Sequence, residues 1–130
     1  NFSGVCPFHG TCFEGLASGP AIQARWGRPA DELDNDHDAW SLQAHYMAVG
    51  LWNLICTLSP RRLILGGGVM EQEHLLPAIR ANLQSVAAEY LQVPQLGVQV
   101  ENFVVAPGLG SRAGISGALA LAELAARNVP

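Results

Sequence analysis

Lysine is absent from this 130-residue sequence, and its seven basic residues are all arginines. Three familiar mechanisms depend on a lysine: the Walker A phosphate loop, the pyridoxal Schiff base and the strand lysine of protein kinases. The composition therefore excludes all three from this chain.

Charged residues of either sign are also scarce. They make up 14% of the sequence, against about a quarter in an average soluble domain, whereas hydrophobic residues make up 49%. We therefore expect another lobe or a partner subunit to cover much of the surface. The net charge is −4 and the arginines are scattered, which argues against nucleic acid or an anionic membrane as the main partner. Small molecules are the expected ligands.

The sequence shows neither a long apolar run nor a targeting segment. No run approaches the roughly 18 residues that a membrane-spanning helix needs, so we expect no transmembrane role. The chain opens on Asn1-Phe2-Ser3-Gly4, without an initiator methionine or a signal core, and we expect it to begin inside a longer protein. Its cysteines, Cys6, Cys12 and Cys56, are odd in number, which argues against a disulfide framework. A reducing compartment, the cytoplasm, is the expected location.

Glycine, proline and hydrophobic periodicity divide the chain into loops, helices and strands. Residues 1–15 have little periodicity and are predicted to form a structured loop. The other predictions are a broken helix over 16–26, an acidic solvated connection over 31–38, helices over 38–58, 73–91 and 113–126, and strands over 62–65 and 98–105. Helices alternating with strands predict an α/β fold with a largely parallel sheet. Two or three strands are too few for an independent sheet covered on both faces.

Two helices carry apolar residues at helical spacing, which predicts their buried faces. The predicted faces are Trp40, His45, Val49, Trp52 and Ile55 in one helix and Leu76, Ile79, Leu83, Val86 and Tyr90 in the other. Asp38 is the predicted N-cap of the first helix, and the strand Arg62–Leu65 is predicted to be interior. We expect Cys56 to be a core thiol and His74 a surface imidazole.

The segment Cys6-Pro7-Phe8-His9-Gly10-Thr11-Cys12 carries the clearest chemical signal. Two thiols and an imidazole at three-residue intervals in a loop are chelating geometry for zinc, which accepts both sulfur and nitrogen ligands. A structural zinc needs four protein ligands, so His37, His45, Cys56 or a residue upstream of Asn1 would have to supply the fourth. One alternative is a loop of reduced cysteines with a chance histidine. A catalytic zinc is disfavoured, because no neighbouring residue pairs with a metal-bound water.

Two further segments have both a functional and a purely structural interpretation. Glu14 stands beside the zinc segment, where its carboxylate could accept hydrogen bonds from sugar hydroxyls, or could simply stabilise the first turn of a helix. Gly66, Gly67 and Gly68 after a strand would let the backbone approach a nucleotide closely, or would form only a tight turn. The same choice applies to Gly108-Leu109-Gly110-Ser111 ahead of the last helix.

Three segments together resemble the C-terminal half of the ROK family of sugar kinases, in its fructokinase branch. They are Cys6-Pro-Phe-His-Gly-Thr-Cys-Phe-Glu-Gly-Leu-Ala-Ser-Gly-Pro-Ala-Ile-Gln-Ala-Arg-Trp-Gly27, Leu65-Gly-Gly-Gly-Val-Met70 and Gly108-Leu-Gly-Ser-Arg-Ala-Gly-Ile-Ser-Gly117. The resemblance runs from Asn1 to about Ala126. Many ROK proteins carry a cluster in which two cysteines flank one residue and a third follows a glycine-rich gap, whereas His9 takes a ligand position here, as in the fructokinase branch.

The resemblance implies a fold and an activity. The fold is actin-like, or ribonuclease-H-like, with two α/β lobes and a cleft between them for the sugar and ATP. Residues 1–130 would form the C-terminal lobe, with a zinc loop over 1–15 and helices on a partial sheet over 16–130. The implied activity is magnesium-assisted transfer of the γ-phosphoryl group of ATP to a hexose hydroxyl, with fructose as the sugar of the branch.

The resemblance also implies roles for particular residues. Cys6, His9 and Cys12 would hold a structural zinc that orients Glu14 towards the hydroxyls of the sugar. The glycines Gly66, Gly67 and Gly68 would border the adenosine and phosphate pocket. The implied protein partners are the N-terminal lobe of the same protein and a second subunit in a homodimer.

Catalysis in the family depends on residues that the resemblance places upstream of this chain. They are the carboxylate base, the phosphate-binding loop, a further Glu and His that contact the sugar, and the fourth zinc ligand. We therefore assign no catalytic residue here and expect the chain alone to be inactive. Two other functions stay open. One is a lobe of a sugar-sensing transcriptional regulator of the same family, which an upstream helix-turn-helix would indicate. The other is a complete zinc-binding module, which would need His37 or His45 as the fourth ligand.

Overall fold

The computed structural model describes residues 2–127 of the chain. Its helices and strands are α1 (Phe13–Ala17), α2 (Gly19–Trp26), α3 (Asp38–Leu58), β1 (Leu63–Ile64), α4 (Leu75–Ala87), α5 (Val100–Phe103), β2 (Val104–Val105) and α6 (Ala113–Arg127). Short 3₁₀ turns cover Ala30–Glu32, Gly68–Glu71, Pro94–Leu96 and Gly110–Arg112. The strands pair in parallel, with Leu63 opposite Val104. A mixture of helices with a small parallel sheet is thus confirmed.

The break between α1 and α2 is made by one serine. Ser18 has extended backbone geometry, so α1 cannot continue through it. Its side-chain oxygen accepts a hydrogen bond from the backbone N–H of Ala21 at 3.4 Å, which caps the start of α2. Gly27 then ends α2 in the left-handed conformation that favours glycine. The predicted broken helix is therefore observed, with its break at Ser18.

The core lies where α3 packs along α4. Its largest fully buried side chains are Leu75, Ile79, Leu83 and Val104. Each such side chain contributes about 1.5–3 kcal/mol when it leaves water. The buried residues of α3 are Ala39, Trp40, Gln43, Ala44, Ala48, Leu51 and Ile55. Three of these seven residues are alanines, which leave room for the larger buried side chains of α4.

The predicted buried face of α3 is wrong in part. The helix has the predicted bounds, but His45 and Val49 are exposed and Trp52 is only half-buried. The hydrophobic face is rotated towards the alanines, whose small size makes them a weak signal in a sequence. The N-cap also differs: His37 accepts a hydrogen bond from the backbone N–H of Ala39 through Nδ1 at 3.1 Å, in place of Asp38.

Two single-residue expectations are also corrected. Cys56 is exposed, whereas its neighbour Ile55 lies among the buried residues of α3. His74 is half-buried, and its Nε2 atom is buried with no hydrogen-bond partner among residues 2–127. The imidazole packs edge-on against Trp40, with ring centroids 4.9 Å apart. It belongs to the margin of the core and not to the surface.

The second predicted helix is shorter than its pattern suggests. Helix α4 ends at Ala87 because Ala88 and Glu89 both have left-handed backbone geometry. Tyr90, predicted to lie on the buried face, is 86% exposed. Leu76 and Val86 are half-buried beside the core residues Ile79 and Leu83.

Both strands are shorter than predicted, because each pairs with a partner strand of only two residues. Residues 100–103 are helical, and within 98–105 only Val104–Val105 forms a strand. A strand needs a hydrogen-bonding partner, and β1 offers two residues. Val98 is consequently 94% exposed. The interior position predicted for β1 is wrong in part in the described structure: Leu63 and Leu65 are buried, but Ile64 is 64% exposed.

Helix α6 projects from the rest of the structure. None of its residues is buried, although it carries large apolar side chains: Ile115, Leu119, Leu121 and Leu124. Within residues 2–127, no helix has both the length and the apolar content that crossing a bilayer requires.

Candidate functional site

The three predicted metal ligands lie together in the opening loop. The Sγ atom of Cys6 is 3.8 Å from Nδ1 of His9, and the donor atoms of Cys6, His9 and Cys12 all lie within 4.8 Å of one another. Ligands of a tetrahedral zinc are separated by roughly 3.5–3.8 Å, given zinc–sulfur and zinc–nitrogen bonds of about 2.3 and 2.0 Å. The three donors are thus close to the spacing that zinc imposes, and small side-chain rotations suffice to reach it.

Glycines that the sequence analysis did not single out hold this loop against α1. The loop closes on itself through the backbone N–H of Gly10, which donates to the carbonyl of Cys6 at 3.0 Å. A Cβ atom on Gly15 would lie 1.9 Å from the carbonyl oxygen of Gly10, and one on Gly4 would lie 2.1 Å from it. Gly4 also has a φ of +72°. Only glycine fits at these two positions, and the signal in the sequence was the density of glycines around the cysteines.

The backbone around Cys6 favours its thiolate. Hydrogen bonds from the backbone N–H groups of Phe8 and His9 lower the pKa of the Cys6 thiol from 9.0 to about 7, with smaller contributions from the side chains of Cys12 and His9. Zinc binds the thiolate and not the thiol. Near neutral pH, a large fraction of Cys6 is therefore already the thiolate that zinc binds.

This pKa predicts how the metal-free protein is alkylated. Since the pKa is lowered, the thiolate of Cys6 is present above about pH 7 and is lost as the pH falls below it. We expect the iodoacetamide reaction at Cys6 to reach half its maximal rate near pH 7 in chelator-treated protein, and near the ordinary value of 9.0 in urea. Mass spectrometry of the modified peptide gives both profiles. A folded-state rate that climbs through pH 9 would contradict the prediction, and added zinc should suppress the reaction.

None of the three in-chain candidates supplies the fourth ligand. His37 uses Nδ1 to cap α3, and its ring packs edge-on against Trp26 at 4.8 Å. His45 packs beside Tyr46, and Cys56 lies about three turns beyond His45 along α3. The group of possible metal ligands found within residues 2–127 contains only the three loop residues. The described chain thus offers an incomplete tetrahedral site.

Glu14 lies in the first turn of α1, next to the metal loop. The Sγ atom of Cys12 accepts a hydrogen bond from the backbone N–H of Gly15 at 3.5 Å and so caps this helix. The side chain of Glu14 is exposed, and within the described residues it has neither an ion pair nor a hydrogen bond. Its carboxylate is therefore available to a ligand.

Helix α1 is fixed to α3 at both of its ends. The buried amide of Gln43 donates to the carbonyl of Ala17 at 2.6 Å. The ring of Phe13 packs so tightly on α3 that a Cβ atom on Gly50 would lie 2.5 Å from it. Because Phe13 and Ala17 are the two ends of α1, these contacts fix the helix that carries Glu14.

A second site lies at the carboxyl ends of the two strands. An open cavity of about 820 Å³ is lined by residues that follow β1 and by residues that follow β2: Leu65, Gly66, Gly67, Gly68, Met70, Glu71, Glu73, Ala106, Pro107, Gly110, Ser111, Ala113 and Gly114. Ligands of parallel α/β sheets bind in this position, beyond the carboxyl ends of the strands. The two glycine-rich segments noted in the sequence thus meet in one cavity.

The three glycines after β1 have different reasons to be glycine. A Cβ atom on Gly66 would lie 2.9 Å from Cγ of Pro107, which follows β2. Gly67 has φ +100° and ψ 167°, a conformation that side chains with a Cβ atom avoid. Gly68 has open space around it. Gly66 is therefore required by a close contact and Gly67 by its positive φ, whereas Gly68 leaves a stretch of backbone unobstructed.

Comparison with known proteins adds a family and several relatives. Residues 1–125 match the ROK family. A protein of Bacillus subtilis (strain 168) is 44% identical over 124 residues, which cover 95% of this chain and 42% of that protein. A fructokinase of Zymomonas mobilis is 42% identical over 130 residues, and a fructokinase of Pediococcus pentosaceus is 38% identical over 128 residues. Each of these two alignments covers 98% of the chain, and they cover 42% and 43% of the two fructokinases. The chain thus spans about two-fifths of the length of the curated relatives it matches.

Proposed function

Because the chain belongs to the ROK family, we propose that it is the C-terminal portion of an ATP-dependent hexose kinase. The kinase transfers the γ-phosphoryl group of ATP to a sugar hydroxyl, and fructose is the proposed sugar because relatives aligned over nearly all of the chain are fructokinases. The observation that carries the proposal is the cavity in which both glycine-rich segments meet. It lies where a parallel α/β sheet binds its ligand.

We propose that this cavity binds ATP, together with magnesium that accompanies the phosphates. Gly66, Gly67 and Gly68 let the backbone come close to the nucleotide, because no Cβ atom stands in the way. Phosphoryl transfer depends mainly on positioning and on stabilisation of charge. The proposed role of this chain in the reaction is therefore to hold the nucleotide in place. The carboxylate base would lie in the remainder of the protein, outside this chain.

Glu14 is the proposed sugar-binding residue. Its exposed carboxylate can accept hydrogen bonds from sugar hydroxyls, and charged acceptors make the stronger bonds of this kind. Cys6, His9 and Cys12 would hold a structural zinc, with a fourth ligand from outside the chain. When bound, zinc would cross-link the opening loop and so fix α1, which begins directly after Cys12.

The proposed architecture follows from the same features. We place residues 1–130 as the C-terminal lobe of an actin-like, ribonuclease-H-like fold, with a zinc loop over 1–15 and helices on a partial sheet over 16–130. An N-terminal lobe of the same protein would complete the sheet and the cleft, and the exposed apolar residues of α6 support such a covering. We further propose a homodimer, which the low charge supports, and a cytoplasmic location, which the three free cysteines support.

A coupled assay of ADP release tests the function. The longer protein that contains this chain should hydrolyse no ATP without sugar and should turn over with fructose at an ordinary enzymatic rate of about 1–1,000 per second. The 130-residue chain alone should show no sugar-dependent turnover. Turnover by the 130-residue chain would refute the assignment of the base to another part of the protein. A longer protein that binds hexose without turnover would favour the sugar-sensing regulator instead.

A further inference from the structure

The two cysteines of the metal loop lie side by side. The Sγ atoms of Cys6 and Cys12 are no more than 4.8 Å apart, and both thiols are free and half-buried. Both residues lie against Gly15: a Cβ atom on this glycine would be 3.0 Å from Cβ of Cys6, and its backbone N–H donates to Sγ of Cys12 at 3.5 Å. Contacts with one buried residue thus hold the two cysteines next to each other.

The backbone between the cysteines already closes the ring that a disulfide would need. Five residues separate Cys6 from Cys12. The chain doubles back between them, because the N–H of Gly10 donates to the carbonyl of Cys6 at 3.0 Å. The N–H of Val5 donates to the carbonyl of Gly15 at 2.9 Å and joins the two ends of the loop. Since a disulfide bond is about 2.05 Å long, the remaining step is rotation of the two side chains towards each other.

The third cysteine is not part of this pair. Cys56 is exposed on α3 and lies outside the group formed by Cys6, His9 and Cys12. A sulfur reacts fastest with a partner held beside it, because proximity replaces a bimolecular encounter. Cys6 and Cys12 are therefore the pair that an oxidant would join within one chain, and Cys56 would stay a thiol.

We propose that Cys6 and Cys12 form a redox modification site, in which hydrogen peroxide joins the two residues in a reversible disulfide that excludes zinc from the loop. One thiol gives up its proton and its sulfur attacks a peroxide oxygen, which breaks the O–O bond, leaves a sulfenic acid and releases water. The second sulfur attacks the sulfenic sulfur, so that the S–S bond forms and another water leaves. The two sulfurs together lose two electrons, which the peroxide gains.

The disulfide and the zinc exclude each other because they use the same sulfur atoms. Zinc binds thiolates, and neither sulfur of a disulfide carries that charge. His9 would then be the one ligand left in the part of the group that the structure describes. Disulfides of cytosolic proteins are usually transient and redox-sensing, which agrees with a switch between two cross-linked forms of one loop. The inference goes beyond the proposed kinase function, because the disulfide requires only the geometry of the loop.

Peptide mass spectrometry of the longer protein that contains this chain tests the inference. The protein is stripped of metal with EDTA, treated with hydrogen peroxide, alkylated and digested with trypsin. Cys6 and Cys12 fall in one tryptic peptide, which ends at Arg25, whereas Cys56 falls in another. We expect the first peptide to be lighter by two hydrogen atoms and to carry no alkyl group on either cysteine, and fragmentation should place the bond. Cys56 should be alkylated as before.

Zinc affinity gives the second measurement. Competition with a chromogenic chelator should show a loss of about 100-fold or more in the oxidised protein, because two of the ligands are gone. Dithiothreitol should restore both the thiols and the affinity. The matched control is Cys56→Ser, which should form the disulfide and lose zinc as the wild type does. Cys12→Ser should form no such bond, and its Cys6 should be oxidised further, to sulfinic acid.

Three results would overturn the inference. The first is separate oxidation of Cys6 and Cys12 to sulfinic acids without a bond between them. The second is a peroxide-induced disulfide from either residue to Cys56. The third is an oxidised protein that contains the Cys6–Cys12 bond and binds zinc as tightly as the reduced one. Kinase activity is measured separately, so a protein that turns over ATP with fructose and gives one of these results fails only this inference.

Discussion

Replacement of Gly15 by alanine is expected to abolish tight zinc binding. Gly15 is buried in α1, and a Cβ atom there would lie 1.9 Å from the carbonyl oxygen of Gly10 and 3.0 Å from Cβ of Cys6. Neither neighbour can rotate away, because one is backbone and the other is fixed to it. The loop would have to leave α1 and would carry Cys6 and His9 away from Cys12. Zinc affinity depends on all ligands at bond distance, so we expect a loss of about 100-fold or more.

Competition with a chromogenic zinc chelator measures this loss on the purified protein. The matched control is Gly117→Ala, which lies on the exposed helix α6 and has nothing within 4 Å of its Cβ position. Alanine there should leave zinc affinity unchanged, and alanine is the better helix former. If Gly15→Ala retained wild-type zinc affinity, the packing of the loop on α1 would not be what places the ligands.

Replacement of Gly67 by alanine is expected to cost about 1–3 kcal/mol of unfolding free energy through backbone strain alone. Among the described residues, nothing beyond its two chain neighbours lies within 4 Å of its Cβ position, so contacts with the rest of the fold play no part. The conformation of Gly67, with φ +100° and ψ 167°, is what alanine cannot adopt without strain. The turn should relax to an ordinary geometry, which would move Gly68 and the cavity wall. In the longer protein that contains this chain, if it has the proposed kinase activity, we expect the KM for ATP to rise about tenfold or more, because small displacements of positioning groups have large kinetic effects.

The neighbouring glycine gives a control within the same turn. Gly68 has ordinary backbone geometry and open space around it, so Gly68→Ala should unfold in urea as the wild type does. If the nucleotide backbone passes close to Gly68, as we propose, this variant should nevertheless bind ATP more weakly. The pair of variants thus separates strain from close approach. Equal stability of Gly67→Ala and wild type would remove the strain argument.

Short-range rules explain which parts of the fold were predictable. The helix 38–58 was predicted with the bounds that the structure has, because its ends depend on residues within a few positions of them. The break at Ser18 and the stop at Gly27 are equally local. The burial of His45 and Val49 was predicted wrongly because it depends on where α4 lies, and α4 is distant in sequence.

Residue types and their spacing were enough to define the chemistry available to this chain: no lysine mechanism, a zinc-type spacing of cysteines and histidine, and two glycine-rich segments. Tertiary structure alone decided what these residues face. The parallel pairing of β1 with β2 brings the segments after both strands into one cavity, and the same folding adds Glu71 and Glu73 to its wall. The reason is that spacing along a chain fixes contacts over a turn or two, whereas contacts between distant segments depend on which faces pack in the core.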